Sequence, residues 1–140
     1  MIKNKNLTCI VFIFIYLIVG IYLSITNGIT SDEYHEQLNW QVNLSSIISF
    51  VKTGNYDELL NYGDKYHGIG FHFISQPIQI LFNNFVGNLN ELSILGGYLV
   101  SKHIAIFLFF FVSGIFFYLL CLKLTRSFTF SVISALLYLL

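Results

Sequence analysis

Charge is what this chain has least of. Only 10% of its 140 residues are Asp, Glu, Lys or Arg, while 56% are hydrophobic. Soluble domains carry about 25% charged and roughly 45–50% apolar residues. So sparse a set of charges cannot dress a water-exposed surface. There is no basic patch, so nothing argues for nucleic acid as a partner. Cysteine is scarce too: Cys9 and Cys121 both fall inside apolar runs, where they read as small packing residues and not as an extracytoplasmic disulfide. Those runs also lack ionisable groups, which excludes a proton relay or ion path within them.

What is present is apolar sequence in blocks. Leu7 to Ile25 and Ile104 to Leu122 each run without a charge. About 20 apolar residues cross a hydrocarbon core roughly 30 Å thick, so both read as full transmembrane helices. A third run, 128–140, reaches only about 20 Å at about 1.5 Å per residue. It reads as a truncated third span, since a chain rarely stops in lipid with bare carbonyls. The expectation is an all-α, polytopic membrane protein fragment, the N-terminal part of one transmembrane domain. A cleaved signal peptide is the competing reading of 7–25, with Ser24-Ile25-Thr26 as its cleavage site. The run exceeds the roughly 7–15 apolar residues of a signal peptide, which favours the span.

Charge placement orients the chain. Lys3 and Lys5 precede the first span, and Lys123 and Arg126 follow the second. All seven acids, Asp32, Glu33, Glu36, Asp57, Glu58, Asp64 and Glu91, lie between the spans with only Lys52, Lys65 and Lys102. Basic residues near span ends stay cytoplasmic. The N-terminus is therefore expected in the cytoplasm and 26–103 in a large outer loop. Asn43-Leu44-Ser45 in that loop is a glycosylation sequon, meaningful only in a eukaryotic secretory compartment.

Within the loop, Thr30-Ser31-Asp32-Glu33 is a capping-box start for a helix that ends at Gly54-Asn55. A second helix is expected over 69–85, kinked at Pro77. It is apolar but holds His72, Gln76 and Gln79, and so reads as an interfacial or re-entrant juxtamembrane helix. Asn88-x-x-Glu91 is a second capping-box pattern, leading into the second span. Trp40 and the tyrosines suit an interfacial aromatic belt, while His72 and His103 read as interfacial residues.

Chemistry, if the chain has any, belongs to this loop. Asp32, His35 and Glu36 share one helix face, with Glu33 about a third of a turn away. Acids in a first turn also stabilise a helix with no further role. His35-Glu36 opens a zinc-protease pattern, but position 39 is Asn, so the second ligand is missing. Asp32-Glu33-Tyr34-His35 is echoed by Asp64-Lys65-Tyr66-His67, and two such units can build a metal site. Asp32, His35, Asp64 and His67 are thus candidate ligands for a divalent ion.

An Asp-Glu pair just past the first span, followed by membrane-surface helices and by Tyr62-Gly63-Asp64-Lys65-Tyr66-His67-Gly68-Ile69-Gly70-Phe71, resembles the GT-C glycosyltransferases. That superfamily includes protein O-mannosyltransferases, aminoarabinose transferases and oligosaccharyltransferases. The likeness covers about residues 1–126, nearly all of this chain and roughly the first third of a family member. It implies an inverting transferase of the bacterial cytoplasmic membrane that takes a sugar from a polyprenyl-phosphate donor. Asp32 would be its catalytic carboxylate and Glu33 the partner. A lipid phosphate is already a good leaving group, so the chemistry needs a general base and no general acid, unlike a glycosidase. Some members hold a divalent metal at this carboxylate. His35, Lys65 and His67 are candidates for binding substrate, and Lys102 is a further candidate cation for the lipid phosphate. The alternative is a non-enzymatic membrane component, such as a transporter or polysaccharide-assembly subunit, whose acids only cap a helix.

Overall fold

The computed structural model of the chain describes residues 2–65 and 68–139, with side chains from residue 11 onward. Among the described residues six helices follow one another: α1 (Ile2–Thr26), α2 (Ser31–Thr53), α3 (Asp57–Asn61), α4 (Gly70–Leu89), α5 (Ile94–Thr125) and α6 (Phe128–Leu139). No strand occurs among the described residues, so the chain is all-α. The helices form two compact units.

The first unit holds α1, α6 and α5 from His103 onward. Its packing depends on glycines that leave room for rings. A Cβ on Gly20 would sit 2.0 Å from Cζ of Phe107, so only glycine lets α5 approach α1 there. Tyr16 stacks on Phe111 with centroids 6.1 Å apart, and its hydroxyl donates to the Leu139 carbonyl at 2.8 Å. Gly114 makes the same allowance for Leu139. The α5–α6 turn is closed by Arg126 in the left-handed region (φ 52°), its N–H donating to the Leu122 carbonyl at 3.0 Å.

By length and composition, α5 is the one helix among the described residues that is long and apolar enough to cross a membrane, with mean hydropathy 2.6. Only 28% of that stretch is buried, so it is not a core helix wrapped by the rest of the chain. α5 extends beyond the expected 104–122 at both ends because Ser93, and not Asn88, starts it. The Gly96 N–H donates to Ser93 Oγ at 3.1 Å. Asn88 lies inside α4, and Glu91 sits in the intervening turn at φ 52°, so the second capping box does not form.

The second unit is Asn27–Lys102, with α2, α3, α4 and the start of α5. The first capping box does form: the Thr30 N–H donates to Glu33 Oε1 at 3.0 Å. Gly54 ends α2 in the left-handed region (φ 74°), and its N–H donates to the Phe50 carbonyl at 2.8 Å. α3 was not expected; Glu58 on it accepts from Ser45 Oγ at 2.8 Å, which ties it back to α2. α4 runs four residues past the expected end at 85 and continues through Pro77.

The burial pattern of this unit is inverted relative to a soluble helix bundle. α2 buries Gln37, Asn39, Trp40, Asn43 and Ser46 while exposing Leu38, Ile47, Ile48, Phe50 and Val51. α4 buries His72, Ser75, Gln79 and Val86 while exposing Phe73, Ile74, Ile80, Leu81, Phe85 and Leu89. Polar groups make the interior, and several are bonded there, although Gln37 Oε1 and Ser46 Oγ are buried with no partner among the described residues. Asn39 accepts from the Tyr62 hydroxyl, Ser75 Oγ donates to Gln79 Oε1 at 3.1 Å, and Gln79 Nε2 donates to the Tyr98 carbonyl at 3.2 Å.

α4 and α5 touch backbone to backbone at Gly87 and Gly97. A Cβ on Gly97 would lie 2.8 Å from Asn83 Oδ1, 2.9 Å from the Asn83 carbonyl and 3.0 Å from Gly87 Cα. Two of these obstacles are backbone atoms and cannot swing aside. Gly97→Ala should therefore destabilise the chain by about 1–3 kcal/mol through overpacking. Thermal unfolding in detergent micelles reads this directly. Gly63→Ala, where a Cβ meets nothing within 4 Å, should leave the transition unmoved.

Candidate functional site

The residues singled out in the sequence lie at the start of α2 and after α3. Asp32 is exposed in the first turn of α2 and has no hydrogen-bond partner among the described residues. Its neighbour Glu33 is engaged in capping: one carboxylate oxygen accepts from the Thr30 N–H at 3.0 Å and from the Thr30 hydroxyl at 3.1 Å. His35 is exposed one turn on. Lys65 donates to the Leu60 carbonyl at 2.7 Å, and Asp64 is exposed beside it. His67 lies outside the described residues. Among the described residues no three His, Cys, Asp or Glu side chains gather closely enough to hold a metal ion.

The structure draws together a different set. Glu36 on α2, His72 on α4 and Lys102 on α5 meet at one point. Lys102 is only 4% exposed and donates to Glu36 Oε2. Its ammonium also lies 3.2 Å from His72 Nε2. His72 is buried, and the Trp40 ring stacks over it, with centroids 5.5 Å apart and planes 9° off parallel. Phe73 meets Trp40 edge-on at 4.9 Å.

Each partner answers a physical need of the lysine. A buried ammonium without a counter-charge costs several kcal/mol. Glu36 supplies the charge, with its own side chain 55% exposed. An ammonium can only donate, so His72 Nε2 must accept and the ring proton belongs on Nδ1. That Nδ1 is buried with no partner among the described residues. Burial of the ring holds the His72 pKa below the usual histidine range, the Lys102 charge lowers it further, and Glu36 opposes both. The folded state thus keeps His72 neutral where an unfolded histidine would begin to charge, near pH 6.5. Stability is full above about pH 6.5 and falls as pH drops from there toward the folded-state value.

Sequence reading did pick out Lys102 as a candidate cation and Glu36 as part of an acidic face, but it did not join them. The signal for the third member was available in α4. His72, Ser75 and Gln79 recur at helical spacing and form a polar stripe on a charge-free helix. A stripe of that kind needs polar company in the folded chain.

Comparison of the chain with protein-family models, curated proteins and solved structures finds no match.

The two members of the ion pair should not be equivalent. Glu36→Gln leaves a buried ammonium uncompensated, whereas Lys102→Met leaves a carboxylate that water already reaches. Removing one partner of a fully buried pair costs about 3–5 kcal/mol, and the exposure of Glu36 reduces this to roughly 2 kcal/mol. Glu36→Gln should therefore lower stability by about that much, and Lys102→Met by clearly less. Unfolding of both variants in detergent, at a pH near 7.5 where His72 is neutral, checks the order.

Proposed function

We propose that this chain forms the N-terminal part of a polytopic GT-C-type glycosyltransferase that takes its sugar from a polyprenyl-phosphate carrier. In this reading α1 and α5 cross a bacterial cytoplasmic membrane and α6 enters it. The N-terminus is cytoplasmic, and the Asn27–Lys102 unit lies on the outer side. The excess of Lys and Arg at the opposite ends of these helices supports that orientation. The outward apolar faces of α2 and α4 support placing this unit against lipid.

One observation carries the enzymatic reading: two adjacent carboxylates with separate duties. Glu33 bonds to Thr30 at the helix start, while Asp32 is exposed and unengaged by any described residue. If both acids served only the cap, Asp32 would add nothing beyond a favourable interaction with the helix dipole. An unengaged carboxylate just past α1 is where a general base for an acceptor hydroxyl belongs. There it would meet a donor sugar presented at the membrane surface. Glu33 supports it by fixing the first turn.

Asp32→Asn in the full-length enzyme should lower sugar transfer from a polyprenyl-phosphate donor by about 10²–10⁴-fold, or roughly 3–5 kcal/mol of barrier. Expression and membrane insertion should survive. A role in helix capping alone would cost about 1 kcal/mol of stability and leave turnover near normal. Transfer assayed at matched protein levels separates the two outcomes.

A further inference from the structure

The pairing of a lysine with a histidine inside the Asn27–Lys102 unit is costly to build and plays no part in the role assigned to Asp32. We propose that Glu36, His72 and Lys102 form a pH-operated latch: with His72 neutral, the three side chains lock α2 and α4 onto the start of α5, and protonation of His72 frees Lys102 and uncovers Trp40. The inference holds whether or not Asp32 is catalytic.

The geometry allows only one state to be comfortable. With His72 neutral, its Nε2 lone pair accepts from the Lys102 ammonium at 3.2 Å. A proton on Nε2 removes that acceptor and leaves two cations in contact, with one carboxylate to balance them. The titratable and charged groups facing His72 are few. α2 presents Glu36, α5 presents Lys102, and α4 itself carries no Asp, Glu, Lys or Arg. Tyr98 on α5 is occupied elsewhere, its hydroxyl donating to Gln76 Oε1 at 2.5 Å. Stacking on Trp40 would favour an imidazolium modestly, but the ring stack cannot replace the lost acceptor or separate the two charges. Burial and the Lys102 charge both oppose protonation, so the latch opens only below the ordinary range for histidine. Lys102 has a way out, because Glu36 is more than half exposed and can follow it toward water.

The chain carries its own reporter, since Trp40 is its single tryptophan and lies 3% exposed on the His72 ring. The 140-residue chain in phosphatidylcholine vesicles would be titrated from about pH 8 to about pH 5. Trp40 emission, acrylamide quenching and far-ultraviolet circular dichroism would be followed together. The expected result is a red shift and a severalfold rise in quenching, with a midpoint below about pH 6.5 and unchanged helix content. His72→Gln keeps an oxygen acceptor for Lys102 but cannot charge, and should abolish the transition. Lys102→Met removes the cation that opposes the imidazolium, so Trp40 should stay covered through the titration. The latch is overturned if Trp40 does not respond, if helix content is lost at the same midpoint, or if His72→Gln retains the transition. Should His72→Gln fail to fold, Lys102→Met decides: a Trp40 transition that persists at the wild-type midpoint contradicts the latch.

Discussion

The Asn27–Lys102 unit depends on one constraint: an ammonium held out of water must be given both a counter-charge and an acceptor. Lys102 receives these from two different helices, Glu36 from α2 and His72 from α4. The requirement fixes the rotation of both helices about their axes, because a turn of either would withdraw its partner. Trp40 follows from the same rotation, since the α2 face that presents Glu36 also lays the indole over the imidazole one turn later. Hydrophobic burial alone could not specify this arrangement. The interior holds Trp40, Val86, Leu99 and Val100, but most of its lining is polar.

The proposed placement of this unit against lipid would give that inversion a physical meaning. In water, exposing the phenylalanines, leucines and isoleucines of α4 while burying its histidine, serine and glutamine would be the wrong choice on both faces. Against lipid the balance changes sign. Apolar side chains lose nothing by facing hydrocarbon, and polar groups must find one another inside. The serine and glutamine bonds along α4, the glycine contact between α4 and α5, and the charged group at the start of α5 are then parts of one solution. In the first unit glycines admit rings and hydroxyls bond back to their own helix, as Ser24 does to the Gly20 carbonyl at 2.8 Å.

Local features were legible in the sequence because their determinants are local. The capping box at Thr30 and Glu33, the glycine stop at Gly54 and the apolar run inside α5 each depend on a few neighbouring residues. The failures share a cause as well. Asn88-x-x-Glu91 matched a cap pattern, but α4 carried on through it and Ser93 took the role. Lys102 and Glu36 are 66 positions apart, and no periodicity links them. A lone histidine such as His72 in a charge-free helix has no visible partner until the helices are brought together. What the sequence could show was that α4 carries a polar stripe needing a partner, not which residues would supply it.

The claim that Lys102 and Glu36 act as one unit is best tested by a double-mutant cycle. Wild type, Glu36→Gln, Lys102→Met and the double variant would be unfolded in the same detergent at neutral pH. The account predicts that the double variant is more stable than the sum of the single losses implies. The coupling should exceed about 1 kcal/mol, because the second substitution removes the charge that the first left uncompensated. Losses that add to within about 0.5 kcal/mol would show the two side chains to be independent and would contradict it.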